Sequence, residues 1–224
     1  MNSFAQSRLY TFVDTAYLRG RLPRDVAHEL CDGGSDVIQL RAKQSTPDEI
    51  QRMAEAILPI TQAAGVPLVI NDHYRLALQI GAPVCHLGQE DFFDAGFKFV
   101  DQLDGCPRQI KVGLSTHTPE QAKRALAAGP DYVAIGPIFA TPTKPRRPPV
   151  TLDYVRWAAE NVRLPWFAIG GITLDNLDDV LAAGARRICV VSAILNAPDI
   201  AEACRRFKDR LVSAPTNLIN SKNS

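Results

Sequence analysis

The sequence has almost no excess of charge of either sign. Its 224 residues include 25 Lys and Arg against 24 Asp and Glu, for a formal net charge of +1. Proteins that bind nucleic acid or anionic membranes nonspecifically need a basic surplus, which is missing here. We therefore predict no nucleic-acid partner and no membrane partner, and any cationic chemistry must be local.

Long apolar runs and paired cysteines are also missing. No run of 18 apolar residues occurs, and the N-terminus lacks a basic segment followed by an apolar one. The five cysteines are odd in number and show no CxxC spacing. Cys85 and Cys189 lie within apolar runs, where cysteine usually packs as a small core residue. We expect a cytoplasmic protein with reduced thiols.

Short apolar segments alternate with longer amphipathic ones along the chain. The predicted strands are Leu9–Val13, Asp36–Arg41, Pro67–Ile70, Val84–Leu87, Ile110–Leu114, Tyr132–Ile135, Trp166–Ile169 and Ile188–Val191. The predicted helices are 21–32, 46–64, 73–81, 92–103, 118–128, 151–161, 173–183 and 198–212. Nearly continuous apolar strands are typical of a parallel sheet that is buried on both faces.

Eight strand–helix units predict an α/β protein, a single (β/α)8 TIM barrel. Gly65, Gly81, Gly129 and Gly184 each follow a predicted helix and precede the next strand, as C-cap glycines do. The barrel is expected to occupy residues 1–212, and the polar segment 213–224 is expected to be a flexible tail. The oligomeric state stays open, and a homo-oligomer is compatible with the sequence.

The second predicted strand ends in an alternation of Gln39, Arg41 and Lys43. Side chains two residues apart on a strand point to the same face, so an amide and two cations share one side. Such a face can bind an anion between its cations, and arginine offers a fork that matches phosphate oxygens. It can equally be the end of a strand that runs out into solvent.

Polar residues also follow most of the other predicted strands, at the end where TIM barrels carry their active sites. They are Asn71-Asp72, Gly88 to Asp91, Ser115 to His117, Gly136 to Lys144, Gly170-Gly171 and Ser192. Each has a structural alternative: Asn71 and Asp72 can cap a helix, and acidic residues such as Asp91 are favoured in a first turn. Together they predict one polar rim.

The rim contains donors for a metal and for two phosphate groups. Asp72 and Asp91 follow adjacent strands and can share Mg²⁺, which takes one or two carboxylates and binds substrate phosphates. Arg41, Lys43 and Lys144 would surround those phosphates. Glycine after the seventh strand and Ser192 after the eighth allow a second phosphate site built largely from backbone.

These segments resemble the thiamine-phosphate synthase family. The matching motifs are Gln39 to Lys43, Asn71-Asp72, His86 to Asp91, Ser115 to Thr118, Gly136 to Lys144, Ile169 to Thr173 and Val191 to Ile194. They occur in the family's order over roughly residues 9–195. The resemblance implies a TIM-barrel transferase. It would join 4-amino-2-methyl-5-(diphosphooxymethyl)pyrimidine to a thiazole phosphate or carboxythiazole phosphate. The products would be thiamine phosphate and pyrophosphate, plus CO2 from the carboxythiazole.

The resemblance also implies a role for each rim residue. Ligands of the pyrimidine pyrophosphate would be Gln39, Arg41, Lys43, Asn71, Ser115 and Lys144, of which Arg41, Lys43, Ser115 and Lys144 would be catalytic. Ligands of the thiazole phosphate would be Thr141, Thr143, Gly171, Val191 and Ser192. Asp72 and Asp91 would hold the Mg²⁺ cofactor. The basic, proline-rich segment 144–150 departs from the family pattern, and its role stays open.

Two other functions compete with this prediction. A thiazole tautomerase of the same fold would use a histidine such as His117 as its acid and base, and would not need paired carboxylates. A non-catalytic barrel could bind phosphate to sense a precursor. Asp72, Asp91 and Lys144 together favour the synthase.

Overall fold

The computed structural model describes residues 4–104, 109–141 and 149–213. Eight parallel strands close into a barrel in sequence order, with β8 pairing to β1. The strands are β1 (Leu9–Asp14), β2 (Val37–Arg41), β3 (Leu68–Asn71), β4 (Val84–Leu87), β5 (Lys111–Thr116), β6 (Tyr132–Ile135), β7 (Trp166–Ile169) and β8 (Ile188–Cys189). The predicted (β/α)8 barrel is confirmed.

Helices cover the outside of the barrel. They are α1 (Pro23–Asp32), α2 (Pro47–Ala63), α3 (Tyr74–Ile80), α4 (Pro119–Ala127), α5 (Thr151–Asn161), α6 (Leu177–Ala182), α7 (Ser192–Leu195) and α8 (Ile200–Ser213). Within the described ranges, no helix has both the length and the apolar content needed to span a membrane. The predicted tail falls almost entirely on residues 214–224, outside the described residues, so that prediction stays untested.

The prediction of a helix over 92–103 is wrong. A single π turn (Glu90–Asp94) and a 3-10 turn (Val100–Gln102) stand there instead. Phe92 and Phe93 are both buried, although consecutive residues of an α-helix point about 100° apart and do not share one narrow face. Phe97 stacks on Phe92 with ring centroids 5.7 Å apart. The aromatic side chains therefore fold this segment back on itself.

Two further differences lie near the C-terminal ends of the last strands. Helix α6 begins at Leu177 rather than near residue 173, because the Asn176 side chain accepts a hydrogen bond from Thr173 N (2.9 Å) and donates one to Gly171 O (2.9 Å). These bonds hold residues 171–176 as a turn. Helix α7, a single turn that begins at Ser192, was not predicted.

The N-terminal end of the barrel is closed by an aromatic cluster. Phe4 is 4% exposed, and its ring lies 4.5 Å from that of Tyr132 and 6.3 Å from that of Phe167. Arg187 holds this N-terminal segment by donating hydrogen bonds to Phe4 O (3.1 Å) and Ala5 O (2.7 Å). The opposite, C-terminal end is left for the polar rim.

Candidate active site

Arg41, at the end of β2, does not run out into solvent. Its Nη1 donates to Asp14 Oδ2 at 2.9 Å, and the Asp14 side chain is only 1% exposed at the end of neighbouring β1. Asp14 is itself held by Ala16 N, which donates to Oδ1 at 3.0 Å. An ion pair anchored on a buried carboxylate fixes the guanidinium in place. The strand therefore does not end at Arg41 as a solvent-exposed edge, and the anion-binding role of Arg41 stays a prediction.

Lys43 bridges the two predicted metal carboxylates. Its ammonium forms an ion pair with Asp72 and lies 3.9 Å from Asp91 Oδ2. Asn71 Nδ2 also donates to Asp72 Oδ2 at 2.6 Å. Burial raises the pKa of Asp72; the bond from Lys43 opposes the shift and the nearby Asp91 adds to it. The two carboxylates thus already share one cation.

This pair fits a magnesium site of a particular kind. Within the described ranges, no group of three or more His, Cys, Asp or Glu side chains could form an all-protein metal cage. Mg²⁺ does not require one, since it usually keeps several waters and binds one or two carboxylates together with substrate phosphates. The donor chemistry of Asp72 and Asp91 therefore suits Mg²⁺ held jointly with a phosphorylated substrate.

Two cavities open at the C-terminal end of the barrel. The first, here the amide-lined cavity, has a volume of about 470 Å³, part of it open to solvent, and includes Gln39, Arg41, Asn71 and Ser115 in its wall. The second, the glycine-lined cavity, encloses about 580 Å³, part of it open to solvent. Its wall contains Gly136, Gly170, Gly171, Thr141, Val191 and Ser192, together with His117.

The glycine-lined cavity depends on glycines at which a side chain would crowd the neighbouring loop. Gly171 has φ +65°, and a Cβ there would stand 2.7 Å from both Ala140 O and Phe139 Cβ. A side chain at this position would push away the loop after β6, which carries Thr141. The backbone of Gly171 can therefore come close to a ligand in this cavity.

The two cavities share one wall. Ser115, Ala134, Ile169, Cys189 and Val191 line both, so the cavities adjoin at the top of the barrel. Apart from Ser115 this wall offers no polar side chain except the Cys189 thiol. Cys189 is 3% exposed, and burial raises its pKa well above the ordinary value, so that it stays a neutral thiol.

His117 faces the glycine-lined cavity but is tied to the backbone. Its Nδ1 forms a hydrogen bond with Gly136 O, and its main-chain N donates to Gln121 Oε1 at 2.9 Å. Because a carbonyl can only accept, Nδ1 carries a proton. This arrangement orients the imidazole and positions the start of the loop after β6.

The structure brings most of the predicted site residues together. Gln39, Arg41, Asn71 and Ser115 line the amide-lined cavity; Lys43, Asp72 and Asp91 form the ion-pair cluster; Thr141, Gly171, Val191 and Ser192 line the glycine-lined cavity. Thr143 and Lys144 lie outside the described residues. The roles of all these residues toward substrates stay predictions.

Several residues of the site were not predicted from the sequence. Asp14 ends β1 and could have been found by reading the end of the first strand as the other strand ends were read. Asn176 shapes the turn after β7. Tyr10 and Tyr132 lie within apolar strands, and nothing in their spacing distinguishes them from ordinary core residues. His86 begins one of the matching motifs but had no predicted role, although it lines the amide-lined cavity.

The fold and the site together define a class of protein. A closed (β/α)8 barrel whose C-terminal rim carries cations, paired carboxylates and a glycine-lined cavity is built as an enzyme for phosphorylated substrates. The family model described as thiamine monophosphate synthase matches residues 9–194. The chain belongs to this family, as the sequence resemblance predicted.

Curated relatives agree with the family model. A thiamine-phosphate synthase of Thermus thermophilus is 49% identical over 181 residues, which cover 80% of this chain and 84% of the relative. One from Acidothermus cellulolyticus is 42% identical over 214 residues, covering 95% of this chain and 98% of the relative.

Solved structures agree as well. The thiamine phosphate pyrophosphorylase of Pyrococcus furiosus superposes with a TM-score of 0.81 at 25% identity, covering 94% of this chain and 98% of that one. A 3-hexulose-6-phosphate synthase, with a TM-score of 0.62 and 19% identity over 90% of this chain and 98% of that one, shares the fold.

Proposed function

We propose that this protein is a thiamine-phosphate synthase, a transferase that couples a pyrimidine methyl pyrophosphate to a thiazole phosphate. The observation that carries the proposal is the pair of adjoining cavities, one beside a cation–carboxylate cluster and the other lined by glycine backbone. Two phosphorylated substrates can occupy them with their reacting atoms meeting at the shared wall.

The reaction needs one bond to break and one to form. The C–O bond between the pyrimidine methylene and the pyrophosphate breaks, and its electron pair leaves with the pyrophosphate. The resulting carbocation is captured by the lone pair of the thiazole nitrogen, which forms the new C–N bond. With a carboxythiazole phosphate the C–C bond to the carboxylate also breaks. CO2 leaves, the electron pair stays on the ring carbon, and a proton from solvent adds there, so both thiazole forms give the same product.

The residues around the amide-lined cavity are placed to stabilise the departing pyrophosphate. Arg41 can offer it a guanidinium that Asp14 holds in position, and Lys43 adds a second positive charge. Asn71 stands next to the carboxylate cluster. Fixed cations favour the transition state, because negative charge on the leaving group grows as the bond breaks.

Asp72 and Asp91 would hold Mg²⁺. The bound ion would supply Lewis-acid stabilisation of the pyrophosphate oxygens. By resemblance Lys144 would add a further cation, although it lies outside the described residues.

The glycine-lined cavity would hold the thiazole phosphate. In TIM barrels the loops after the seventh and eighth strands and a short extra helix commonly form a phosphate site. Gly171, Val191 and Ser192 occupy these positions, with Ser192 beginning α7, and Thr141 faces them from the loop after β6. Thr143 would join them by resemblance.

The shared wall suits a carbocation mechanism. No nucleophilic side chain has to attack the substrate, and the apolar Ala134, Ile169 and Val191 help to exclude the water that would otherwise trap the cation. The tautomerase alternative is less well supported. It leaves the carboxylate cluster without a role, and the relatives described above are named for the synthase or pyrophosphorylase activity. The sensor alternative leaves the adjoining second cavity unexplained.

Coupling of the two substrates tests the proposal directly. The protein, Mg²⁺ and both substrates should form thiamine phosphate and pyrophosphate in a one-to-one ratio, measured by chromatography and a pyrophosphate assay. The matched pair of variants is Asp91→Asn, which should lose Mg²⁺-dependent turnover, and Asp94→Asn, an exposed acid in the same turn, which should keep it. Tautomerisation of the thiazole without coupling would contradict the proposal.

A further inference from the structure

A continuous chain of hydrogen bonds runs along the amide-lined cavity, and four of its five side chains, all but Tyr132, line the wall. Gln39 Nε2 donates to the Tyr10 hydroxyl at 2.8 Å, and that hydroxyl lies 3.1 Å from the Tyr132 hydroxyl. The Tyr132 hydroxyl is 3.1 Å from His86 Nδ1, and His86 Nε2 is 2.8 Å from Ser115 Oγ. The chain therefore joins Gln39 on β2 to Ser115 on β5 through three residues on other strands.

Every side chain in this series of hydrogen bonds is held in place. All five side chains are 9% exposed or less. The Tyr10 ring packs 5.3 Å from both Phe12 and Phe167, and a Cβ at Gly113 would stand 2.1 Å from the Tyr132 ring, so that glycine makes room for it. In the described part of the chain, no buried side-chain N or O lacks a hydrogen-bond partner.

The protons along the chain must all point one way. Burial raises the pKa of both tyrosines well above the ordinary value, so each phenol keeps its single proton. Tyr10 accepts from Gln39 and passes its own proton to Tyr132. Tyr132 must then donate to His86 Nδ1. A neutral imidazole that accepts at Nδ1 carries its proton at Nε2, and His86 donates it to Ser115.

This order fixes what the two ends offer to a ligand. The Gln39 amide has its NH2 turned to Tyr10, which leaves Oε1 as an acceptor for the cavity. Ser115 Oγ accepts from His86, which leaves its own proton to donate. Turning the Gln39 amide over would require Tyr10, Tyr132, His86 and Ser115 all to reverse, because each hydroxyl has only one proton.

We propose that Tyr10, Tyr132 and His86 are positioning residues that make the amide-lined cavity select a 4-aminopyrimidine over a 4-oxopyrimidine. A 4-aminopyrimidine offers amino-group donors and ring-nitrogen acceptors, which can pair with Gln39 Oε1 and with the Ser115 proton in the same cavity. A 4-oxo ring has a carbonyl oxygen in place of the amino donor, so Gln39 Oε1 would face a second acceptor. It would leave buried polar groups unpaired, which costs far more than a lost contact in water.

The inference rests on the proposed function, and the test separates the two. The measured quantity is the ratio of kcat/KM for the 4-amino pyrimidine pyrophosphate to kcat/KM for its 4-oxo analogue. A site whose polar groups form hydrogen bonds with one particular substrate group discriminates against an analogue that lacks this group by about 10⁴-fold in kcat/KM. Wild-type protein that makes no thiamine phosphate contradicts the proposed function. Wild-type protein that makes it from the 4-amino substrate and accepts the 4-oxo analogue equally well overturns only the inference.

Tyr132→Phe and Tyr10→Phe should each lower that ratio at least tenfold, while KM for the thiazole phosphate stays unchanged. Either substitution disconnects Gln39 from Ser115, so the double variant should lose no more than the larger single loss. If Tyr132→Phe does not fold, Tyr10→Phe carries the test by itself, since it removes only the hydroxyl beside Gln39.

Tyr154→Phe is the matched control. The Tyr154 hydroxyl contacts Thr116 Oγ1 and Thr118 O, both at 2.8 Å, and belongs to no part of the chain from Gln39 to Ser115. In Tyr154→Phe, the ratio of kcat/KM for the 4-amino substrate to kcat/KM for the 4-oxo analogue should equal the wild-type ratio. An unchanged ratio in Tyr10→Phe and Tyr132→Phe, losses that add in the double variant, or an equal loss in Tyr154→Phe would each overturn the inference.

Discussion

Asp72 combines three unfavourable conditions in one residue. It has φ +66°, in the left-handed region that few residues other than glycine, asparagine and aspartate occupy at low cost. Its carboxylate is mostly buried, and it stands beside a second carboxylate, Asp91. Strain and desolvation gathered at one position are common where a site serves function rather than stability.

Asp72→Asn should therefore stabilise the metal-free protein while destroying its activity. Asparagine tolerates the same backbone conformation and removes a buried charge, so at pH 7 we expect a gain of about 1 kcal/mol, or roughly 2–4 °C in Tm. The raised pKa means that the folded state binds this proton more tightly than the unfolded state. The cost of the charge is thus present above that pKa and disappears as the pH falls through it.

Thermal melts in EDTA across a pH series measure this effect. The difference in Tm between wild type and Asp72→Asn should shrink toward acid pH. A variant that melts lower than wild type at pH 7 would show that the ion pair with Lys43 outweighs desolvation.

Arg41 and Asp14 form a pair in which stability and binding can be separated. Arg41→Met leaves a buried carboxylate without its partner and should cost about 3 kcal/mol. Adding Asp14→Asn should restore most of that stability, because no uncompensated charge remains. Both the single and the double variant should keep a KM for the pyrimidine substrate that is raised at least tenfold.

Urea unfolding and steady-state kinetics measure the two effects. Recovery of the pyrimidine KM in the double variant would remove Arg41 from the binding site. Unchanged stability of Arg41→Met would show that Asp14 does not need its partner.

Single residues also show how far the sequence could predict the site. Gln39, Arg41, Asn71, Ser115 and Gly171 were found because a parallel barrel brings the C-terminal ends of its strands to one rim. The tyrosines and His86 could not be found in this way. Their function follows from hydrogen bonds across the barrel interior, and those depend on strand stagger that periodicity does not encode.

At the scale of elements, strands were predicted better than helices. A buried parallel strand is a short apolar run, so all eight were located, although β5 extends to Thr116 and β8 ends at Cys189. Helix bounds depend on side chains that compete for the backbone. Asn176 delays α6, and the phenylalanines from 92 to 97 replace a helix with two turns.

The loops after β6 and β7 should behave as one element. Gly171→Ala would force a Cβ against Ala140 O and Phe139, displacing the Thr141 loop, and should raise KM for the thiazole phosphate about tenfold or more. KM for the pyrimidine substrate should change little. Gly65→Ala is the matched control, since Gly65 has a similar φ of +69° but no atom lies within 4 Å of the place its Cβ would take.

Steady-state kinetics of both variants measure KM for the two substrates. Thermal melts compare the stability of the two variants. Both should lose stability through backbone strain, by about 1 kcal/mol. Equal changes in the thiazole KM of the two variants would mean that strain, rather than the contact with the loop after β6, is responsible.

At the scale of the whole molecule, apolar packing closes the end of the barrel opposite the polar rim. Phe4 closes the N-terminal end, so Phe4→Ala should cost about 3 kcal/mol and lower Tm by roughly 6–12 °C. Phe99→Ala, at a side chain that is 50% exposed, should cost less than about 1 kcal/mol. Differential scanning calorimetry measures Tm for both variants, and an equal decrease in Tm for Phe4→Ala and Phe99→Ala would contradict the role of Phe4 in closing the barrel. The homo-oligomer and the cytoplasmic location stay predictions.

The neutral Cys189 thiol has a consequence for the lifetime of the enzyme. A thiolate between the two cavities would compete with the thiazole for the carbocation, and the cysteine would be alkylated by the intermediate of the enzyme's own reaction. Burial keeps the sulfur protonated and poorly nucleophilic. The same apolar wall that brings the substrates together therefore also protects the catalyst from inactivation by its intermediate.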